Sequence, residues 1–346
     1  MNVVTRIEGR AGRITLNRPA ALNALTHAMT LHIAAALTAW RDDPAVMVVL
    51  IDSANARAFC AGGDIASIYA QFLAGDYEPG RRFWRDEYRM NAQIARYPKP
   101  IVSFLNGFVM GGGVGIGCHA SHRIVGDTSR VAMPECSIGL VPDVGGTLLL
   151  ARAPGRLGEF LTLTAARMTG ADAIHAGFAD FFIAEADWDD LKAALTLSGD
   201  IGVINGASVP PPPSTLAAAG GEIDQLFSSG DLAGVLAALA AGVSDFAKDA
   251  AKRGAGNAPL AMAASLRLLA EARKTGDIES ALTREYRYVY RTGTQGDFAE
   301  GIRARIIDKD NRPQWRHSLT NLPTEAEVAA MLAPLGPEDL TWESDR

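Results

Sequence analysis

The stretch that decides the fold runs from Gly107 to Gly146 and reads GFVMGGGVGIGCHASHRIVGDTSRVAMPECSIGLVPDVGG. Its three consecutive glycines, 111–113, are unfavourable inside a helix or a strand, because glycine loses the most backbone entropy when it is ordered. Such a run is typical of a place where a backbone N–H group approaches a ligand closely. Glu135 and Asp143 lie in otherwise apolar sequence, where a carboxylate is costly unless it is paired or used. We therefore expect a polarising glycine loop that faces two carboxylates.

The sequence before this stretch alternates between strand-like and helix-like patterns. The predicted elements are a hairpin of Val3 to Glu8 with Gly12 to Leu16, a helix from Thr26 to Arg41, a buried strand from Val46 to Ile51, a charged helix from Gly80 to Arg96 and a buried strand from Pro100 to Leu105. This alternation predicts an α/β layered fold whose ligand sites lie on the loops at strand ends.

The sequence after this stretch is mostly helical in pattern. The predicted helices are Leu157 to Leu163, Ala171 to Ala176, Glu222 to Phe227, Leu232 to Leu239, Ala258 to Lys274 and Ile278 to Tyr290, with one short strand from Phe181 to Ile183. Four consecutive prolines, 210–213, fit neither a helix nor a strand and predict a semi-rigid spacer. We therefore predict a core domain at residues 1–206 and a mostly helical region at residues 207–346.

Bulk composition limits the classes of protein to consider. The chain has 346 residues, of which 48% are hydrophobic and 21% charged, as is ordinary for a globular protein. A net charge of −6 argues against a nucleic-acid partner, since phosphate binding normally needs a basic surplus. No apolar run approaches the roughly 18 residues of a membrane span. The N-terminal sequence lacks the features of a secretory signal or a transit peptide, so we expect a cytoplasmic protein with no membrane partner.

Cysteines and histidines offer two further readings of the sequence. Cys60, Cys118 and Cys136 each lie beside a proposed active-site segment, so a catalytic thiol has to be considered. Small buried spacers are the favoured interpretation, because no convincing set of His and Asn or Asp partners accompanies them. His119 and His122 are three residues apart, but no third metal ligand is suggested, and we expect structural histidines and no metal site.

A second glycine-rich turn precedes the first along the chain. The segment RAFCAGGDI, residues 57–65, places two glycines between a strand and a helix. By itself it could be a plain strand-to-helix turn. Together with glycines 111–113 it could bring two backbone N–H groups to one point, which is the geometry that holds a carbonyl oxygen as it becomes an oxyanion.

Three motifs resemble the enoyl-CoA hydratase/isomerase (crotonase) superfamily in their order and spacing. They are RAFCAGGDI (57–65), NGFVMGGGVGIG (106–117) and MPECSIGLVPDVGGT (133–147). The segments FWRDEYRMN (83–91), LTREYRYVYR (282–291) and DFAEGIRARIIDKDNRPQW (297–315) also resemble a branch of that superfamily that hydrolyses acyl-CoA thioesters. The resemblance covers almost the full chain and implies a crotonase-like (ClpP/crotonase) spiral fold of repeated ββα units with a helical C-terminal region.

The resemblance also implies roles for particular residues. The superfamily polarises the thioester carbonyl with two backbone N–H groups, which match Gly63 and Gly112. Typical hydratases have two glutamates that handle water; the second matches Glu135, whereas the first is replaced here by Gly115. Asp143 stands where hydratases commonly have a glycine. This exchange of carboxylates is the pattern of the hydrolase branch.

These matches imply how the branch would use its carboxylates. Glu135 would attack the thioester directly as a nucleophile or act as a general base on water. Asp143 would position water or the substrate hydroxyl, or protonate the leaving thiolate. Glu87 lies in a highly charged helix and could belong to a solvated face, but the resemblance implies that it binds a 3-hydroxyl group. The implied substrate-binding residues are therefore Glu87, Gly112, Glu135 and Asp143.

The implied reaction is hydrolysis of 3-hydroxyisobutyryl-CoA to 3-hydroxyisobutyrate and coenzyme A, a step of valine breakdown. Coenzyme A would enter as part of the substrate, with no metal or redox cofactor, and superfamily members often form homo-oligomers. Two alternatives stay open. One is an enoyl-CoA hydratase or isomerase that uses Glu135 alone, and the other is a non-catalytic acyl-CoA-binding protein that keeps the fold.

Overall fold

The structure is a computed structural model that describes residues 1–342. Its contacts divide the chain into two compact units, each assembled from separate segments. Unit 1 comprises residues 1–63, 89–132 and 167–217, and unit 2 comprises residues 64–88, 133–166 and 218 onward.

The strands of the described residues all belong to unit 1. They are β1 (Val3–Glu8), β2 (Ala11–Leu16), β3 (Val48–Ser53), β4 (Ala58–Cys60), β5 (Ile101–Phe104), β6 (Phe108–Met110), β7 (His122–Val125), β8 (Arg130–Ala132), β9 (Met168–Thr169) and β10 (Phe181–Phe182). One sheet has the order β1-β2-β3-β5-β7-β10 and the other the order β4-β6-β8-β9. Neighbouring strands are parallel except for the β1–β2 and β8–β9 pairs.

A strand pair repeats along the chain and confirms the predicted α/β class. In each of the pairs β3/β4, β5/β6 and β7/β8, the first strand joins the six-stranded sheet and the second joins the four-stranded sheet. The β5/β6 pair is followed directly by a helix at Gly112–Gly117, which gives a ββα unit. This is the spiral repeat that the resemblance implied.

Helices account for most of the remaining chain. They are α1 (His27–Trp40), α2 (Ile65–Leu73), α3 (Glu78–Ala95), α4 (Gly112–Gly117), α5 (Gly146–Arg152), α6 (Leu157–Thr164), α7 (Gly170–His175), α8 (Trp188–Ser198), α9 (Val203–Ala207), α10 (Thr215–Ala218), α11 (Gly220–Leu226), α12 (Leu232–Ala241), α13 (Asp245–Gly254), α14 (Pro259–Thr275), α15 (Ile278–Gln295), α16 (Phe298–Ile302) and α17 (Glu325–Leu332). Short 3₁₀ turns occur at Pro19–Ala21, Glu135–Ile138, Glu185–Asp187 and Gly336–Glu338, and a π-helical turn at Arg303–Ile307. None of the helices within residues 1–342 combines the length and apolar character that a membrane span requires.

The core of unit 1 lies between its six-stranded sheet and α8. Phe104 of β5 and Trp188 of α8 are both buried and meet edge to face, with ring centroids 5.5 Å apart. The indole N–H of Trp188 donates to the Ile183 carbonyl at 3.0 Å, so the polar atom of this buried ring is satisfied. Leu50 and Val102 of the central strands complete the same cluster. Continuous apolar strands such as β3 are therefore buried on both faces, as predicted.

Several local predictions are confirmed by the structure. The hairpin forms between β1 and β2, with Gly9 at φ +53° in the turn. The helix predicted from Thr26 is α1, and the Thr26 hydroxyl caps it by accepting from the Met29 N–H at 3.3 Å. The four prolines are exposed and lie outside helices and strands, as a spacer should.

The two compact units have different boundaries from the two predicted domains. A split after residue 206 would keep residues 64–88 and 133–166 with the core, whereas both segments cluster with the C-terminal helices in unit 2. Contacts between residues far apart in sequence decide this grouping, and local sequence patterns do not report them. The domain boundary at 206/207 therefore stays a prediction.

Candidate active site

Four buried carboxyl groups come together in unit 2. Glu87 lies in α3, Glu135 opens the 3₁₀ turn after Pro134, Asp143 lies in the loop before α5, and Glu285 lies in α15. None of these residues is more than 5% exposed. We call this group the carboxyl cluster. The structure therefore brings together three residues that the sequence predicted and adds a fourth, Glu285, that it did not.

Asp143 is held by a tyrosine. The hydroxyl of Tyr88, which is fully buried in α3, donates to Asp143 Oδ2 at 2.7 Å. Burial raises the pKa of Asp143 to about 6, although the hydrogen bond from Tyr88 opposes that rise. The phenol therefore stabilises the charged form of Asp143.

Glu87 and Glu135 each have a buried oxygen atom with no hydrogen-bond partner. These atoms are Glu87 Oε1 and Glu135 Oε2, judged against the part of the chain that the structure describes. A buried polar atom left without a partner costs about 1–3 kcal/mol, so such atoms call for an explanation. Two unpaired oxygens in one carboxyl cluster are well suited to accept hydrogen bonds from a bound ligand or from water.

The electrostatics of the cluster raise the pKa values of both Glu87 and Glu135. Burial raises the pKa of Glu87 well above its ordinary value, and the nearby charge of Asp143 adds to the effect. Burial does the same for Glu135, again with Asp143 as the next cause. Carboxylates so close together do not all ionise at once, and their pKa values separate. The cluster can therefore hold both a base and a proton donor near neutral pH.

The two predicted glycine turns lie side by side in unit 1. They follow β4 and β6, which are parallel neighbours. A Cβ atom added to Gly113 would lie 2.3 Å from the carbonyl oxygen of Cys60, so only glycine permits this approach of the two turns. Gly62 and Gly111 have φ values of +114° and +49°, which side chains rarely adopt.

Gly63 and Gly112, the two predicted N–H donors, lie on these turns. Gly63 pairs with Leu25 in a parallel bridge just beyond β4. Gly112 is the first residue of α4, where a backbone N–H has no acceptor within the helix. Gly115 is buried inside the same helix, so the position of the first hydratase glutamate carries no side chain. The structure therefore brings Gly63 and Gly112 onto neighbouring turns.

The cysteines and histidines fit structural roles. All three cysteines are buried, and burial raises the pKa of the Cys118 and Cys136 thiols to about 12, so those thiols stay protonated. His122 lies 2.9 Å from the Ser121 hydroxyl and stacks on Phe181. Within residues 1–342, no group of three metal-ligating side chains could hold a metal ion.

Sequence reasoning missed Tyr88 and Glu285. Both lie in segments whose resemblance to the hydrolase branch was evident, FWRDEYRMN and LTREYRYVYR. A signal for Glu285 was present, since it is an acidic residue on the same helical stripe as Ala281, Leu282 and Val289, which are all buried. A charge on a core-facing stripe is costly and marks either pairing or use.

Comparison with known proteins gives the family. A family model described as enoyl-CoA hydratase/isomerase matches residues 11–332. A mitochondrial 3-hydroxyisobutyryl-CoA hydrolase of Xenopus tropicalis is 35% identical over 343 residues, which cover 96% of this chain and 89% of that protein.

Two solved structures match the chain almost completely. A protein described as an enoyl-CoA hydratase from Rhodobacter sphaeroides 2.4.1 is 54% identical, with a TM-score of 0.94 over 99% of this chain and 100% of that one. A protein described as a carnitinyl-CoA dehydratase from Mycobacterium thermoresistibile is 43% identical, with a TM-score of 0.95 over 99% of each chain. These matches confirm the crotonase-like fold.

The same comparisons bear on two other predictions. The name of the Xenopus relative places that protein in mitochondria, and the cytoplasmic location of this chain stays a prediction. Homo-oligomer formation also stays a prediction. The match over residues 11–332 and the near-complete structural agreement support one conclusion. The chain belongs to the enoyl-CoA hydratase/isomerase (crotonase) family.

Proposed function

We propose that the protein hydrolyses an acyl-CoA thioester, and that its substrate is 3-hydroxyisobutyryl-CoA, as in valine breakdown. The observation that carries the proposal is the carboxyl cluster, in which buried, unpaired oxygens of Glu87 and Glu135 accompany Asp143. A glycine stands at position 115, where a hydratase would need a carboxylate. The 35% identical Xenopus relative, named as a 3-hydroxyisobutyryl-CoA hydrolase, supports the same substrate.

The proposed reaction begins at the thioester carbonyl. The N–H groups of Gly63 and Gly112 would donate to the carbonyl oxygen and stabilise the negative charge that develops on it. Loss of one such donor typically costs about 100- to 1,000-fold in rate. Hydrolysis needs attack at this carbonyl carbon, whereas hydration adds water across the neighbouring double bond.

Glu135 is the proposed base or nucleophile. As a base it takes a proton from water, and the water oxygen forms a bond to the carbonyl carbon. The C–S bond then breaks, the acid is released, and the thiolate of coenzyme A receives a proton from the cluster. As a nucleophile the Glu135 carboxylate forms a bond to the carbonyl carbon, and the C–S bond breaks to give an anhydride and the coenzyme A thiolate, which takes a proton from the cluster. Water then hydrolyses the anhydride to the free acid and Glu135. In both routes Asp143 positions the water or donates the proton, and no electrons are transferred, so the reaction requires no redox group.

Glu87 is the proposed partner of the substrate hydroxyl. Its buried Oε1 lacks a partner, and a hydroxyl group on the third carbon of the acyl chain would donate to it. A site built to bond a hydroxyl rejects an analogue without one, because the buried acceptor is then left unpaired. Glu87 would thereby select 3-hydroxyacyl chains.

Hydration of an enoyl-CoA is the second candidate. It is favoured by the names of the two solved structures, a hydratase and a dehydratase, which are 54% and 43% identical to this chain. Against it, the position of the first hydratase glutamate is Gly115. A hydratase reading would leave Glu135 to handle water alone and would give Asp143 no evident task.

One pair of assays tests the proposal. Free thiol is measured during incubation with 3-hydroxyisobutyryl-CoA, and loss of the conjugated enoyl absorbance is measured with crotonyl-CoA. We expect thiol release and no hydration. Hydration without thiol release would overturn the proposal in favour of a hydratase, and acyl-CoA binding without either reaction would indicate a non-catalytic protein.

A matched substrate tests the role of Glu87. Isobutyryl-CoA has the same carbon skeleton without the hydroxyl. We expect its kcat/KM to be lower by about 5- to 150-fold, since a buried acceptor left without its partner costs about 1–3 kcal/mol. Equal kcat/KM values for the two substrates would remove Glu87 from the proposed recognition.

A further inference from the structure

Glu285 makes three hydrogen bonds to the segment that follows Asp143. Its Oε2 accepts from the Gly145 N–H at 2.7 Å, and its Oε1 accepts from the Thr147 N–H at 3.0 Å and from the Thr147 hydroxyl. Glu285 is fully buried in α15, 140 residues from Gly145 along the chain. A distant helix thus fastens the start of α5.

The fastened segment is strained. Val144 has φ +54°, a conformation that β-branched residues adopt only as outliers, and Gly145 follows at φ +79°. The turn closes with the Gly146 N–H donating to the Asp143 carbonyl at 2.6 Å. Backbone of this kind costs about 1–3 kcal/mol and persists only where its surroundings over-determine it. Glu285 accepts hydrogen bonds from Gly145 and Thr147, which follow the strained Val144, whereas Asp143 precedes it.

Ordinary helix capping does not require a residue from so far away. The buried Asp172 shows the local solution in unit 1: it forms a capping box with Thr169 at the start of α7, three residues away. At α5 the cap position is Gly145, which has no side chain and has the positive φ that the turn needs. Burial raises the pKa of Glu285 to about 8, although the bonds from Thr147 and Gly145 oppose that rise. The protein therefore keeps a costly carboxyl group at this point.

We propose that Glu285 is a positioning residue for Asp143, which holds the turn 143–147 so that the Asp143 carboxyl meets the Tyr88 hydroxyl and the rest of the cluster. The proposal rests on the proposed function, in which Asp143 takes part in the reaction. Glu285 bonds the backbone on one side of Val144, and Tyr88 bonds the side chain on the other. Asp143 is thereby fixed through both its backbone and its carboxyl group.

The first test is the Glu285→Gln variant. A glutamine can still accept from Thr147, but its amide NH₂ would oppose the Gly145 N–H, donor against donor. We expect kcat for thiol release to fall about 10- to 100-fold, because a misplacement on the order of 1 Å has this effect, with KM changed less than about threefold. Asp172→Asn is the matched control: it weakens a buried carboxylate cap outside the site and should lower Tm while leaving kcat unchanged.

A double-mutant cycle separates positioning from general damage. In the Asp143→Asn background, Glu285→Gln should cost less than about twofold, because a residue that acts through Asp143 loses its effect once the carboxylate is gone. If the two losses multiply, Glu285 does not act through Asp143 and the proposal is overturned. Thr147→Val serves as a milder variant should Glu285→Gln fail to fold, and Thr147→Ser should restore most of the rate that Thr147→Val loses.

Hydrogen–deuterium exchange tests the contact without any assay of activity. Peptides that cover residues 143–147 should exchange faster in Glu285→Gln than in the wild-type protein or in Asp172→Asn, since the Gly145 amide loses its acceptor. Unchanged exchange there would overturn the proposal. Absence of thiol release from the wild-type protein would overturn the proposed function alone, because the exchange result does not depend on it.

Discussion

Glu135 and Glu159 of unit 2 are exposed to almost the same small extent, yet their surroundings differ in kind. Their exposed fractions are 4% and 3%. Arg273 forms a two-pronged ion pair with Glu159 at 2.6 and 2.7 Å, and Arg156 adds a contact at 2.9 Å. Glu135 instead has a buried oxygen without a partner and lies among other carboxyls. Burial alone therefore does not distinguish a structural carboxylate from a functional one.

The groups next to Glu135 and Glu159 determine whether the pKa of each is raised or lowered. For Glu159, burial raises the pKa, but the hydrogen bonds from Arg273 and Arg156 outweigh it and the net shift is downward. For Glu135, burial and the charge of Asp143 act together and the pKa rises. A group with a raised pKa can exchange protons near neutral pH, whereas a firmly paired carboxylate cannot. We therefore expect Glu135 to take part in the reaction and Glu159 to stabilise the fold.

The largest expected effect comes from Glu135→Gln. We expect the rate of thiol release to fall by about 10²- to 10⁴-fold, which is the usual contribution of a general base. Steady-state thiol release from 3-hydroxyisobutyryl-CoA measures it, with circular dichroism to verify folding. Glu159→Gln is the control with almost the same exposed fraction, and the kcat of its folded fraction should stay within about twofold of wild type. If the Glu135→Gln enzyme kept the full rate, Glu135 would be neither the base nor the nucleophile.

The free energy of unfolding should respond in opposite ways to Glu159→Gln and to Glu135→Gln. Glu159→Gln leaves Arg273 and Arg156 without their partner, and since both are partly exposed we expect a loss of about 1–3 kcal/mol in the free energy of unfolding at pH 8. Because the pKa of Glu159 is lowered on folding, this loss should shrink as the pH falls below the ordinary value of 4.5.

For Glu135→Gln the dependence of stability on pH has the opposite sign. A pKa raised on folding means that wild-type stability declines as the pH rises above about 4.5, and a glutamine does not titrate. The variant should therefore be at least as stable as wild type at pH 8, with the difference vanishing toward pH 4.5. Urea unfolding at several pH values measures both variants. Parallel stability-versus-pH curves for the two would contradict the comparison.

The parts of this molecule that the sequence predicted are those encoded locally. Thr26 before a periodic apolar run predicted the start of α1, and the capping bond is present. The glycines at 62–63 and 111–113 predicted two turns because glycine runs are unfavourable inside helices and strands. In the structure Gly62 and Gly111 have backbone angles that side chains rarely adopt. Glu135 and Asp143 were identified because acidic residues stand out in apolar sequence.

The parts that the sequence did not predict depend on contacts across long separations. Glu285 reaches Gly145 over 140 residues, and Tyr88 reaches Asp143 over 55 residues. No local pattern specifies which buried tyrosine or glutamate finds a given loop. The grouping of residues 64–88 and 133–166 with the C-terminal helices escaped prediction for the same reason. Tertiary packing sets these features, and only the fold reveals them.

The smallest expected effect, and the finest test of the cluster, is Tyr88→Phe. The phenylalanine keeps the buried ring but removes the hydroxyl that bonds Asp143. That bond opposes the rise of the Asp143 pKa to about 6, so its loss should raise the pKa of Asp143 further. The proposed reaction needs one ionised carboxyl in the cluster, whichever residue carries it.

The acid limb of kcat/KM for wild-type enzyme should accordingly lie well above pH 4.5, and in Tyr88→Phe it should move to higher pH, with the plateau rate at high pH changed much less. A pH profile of thiol release measures both. Tyr286→Phe is the matched control, since Tyr286 packs edge to face on Tyr88 at 6.1 Å but its hydroxyl accepts from Arg85. An acid limb that stays in place in Tyr88→Phe would show that Asp143 does not set the ionisation on which turnover depends.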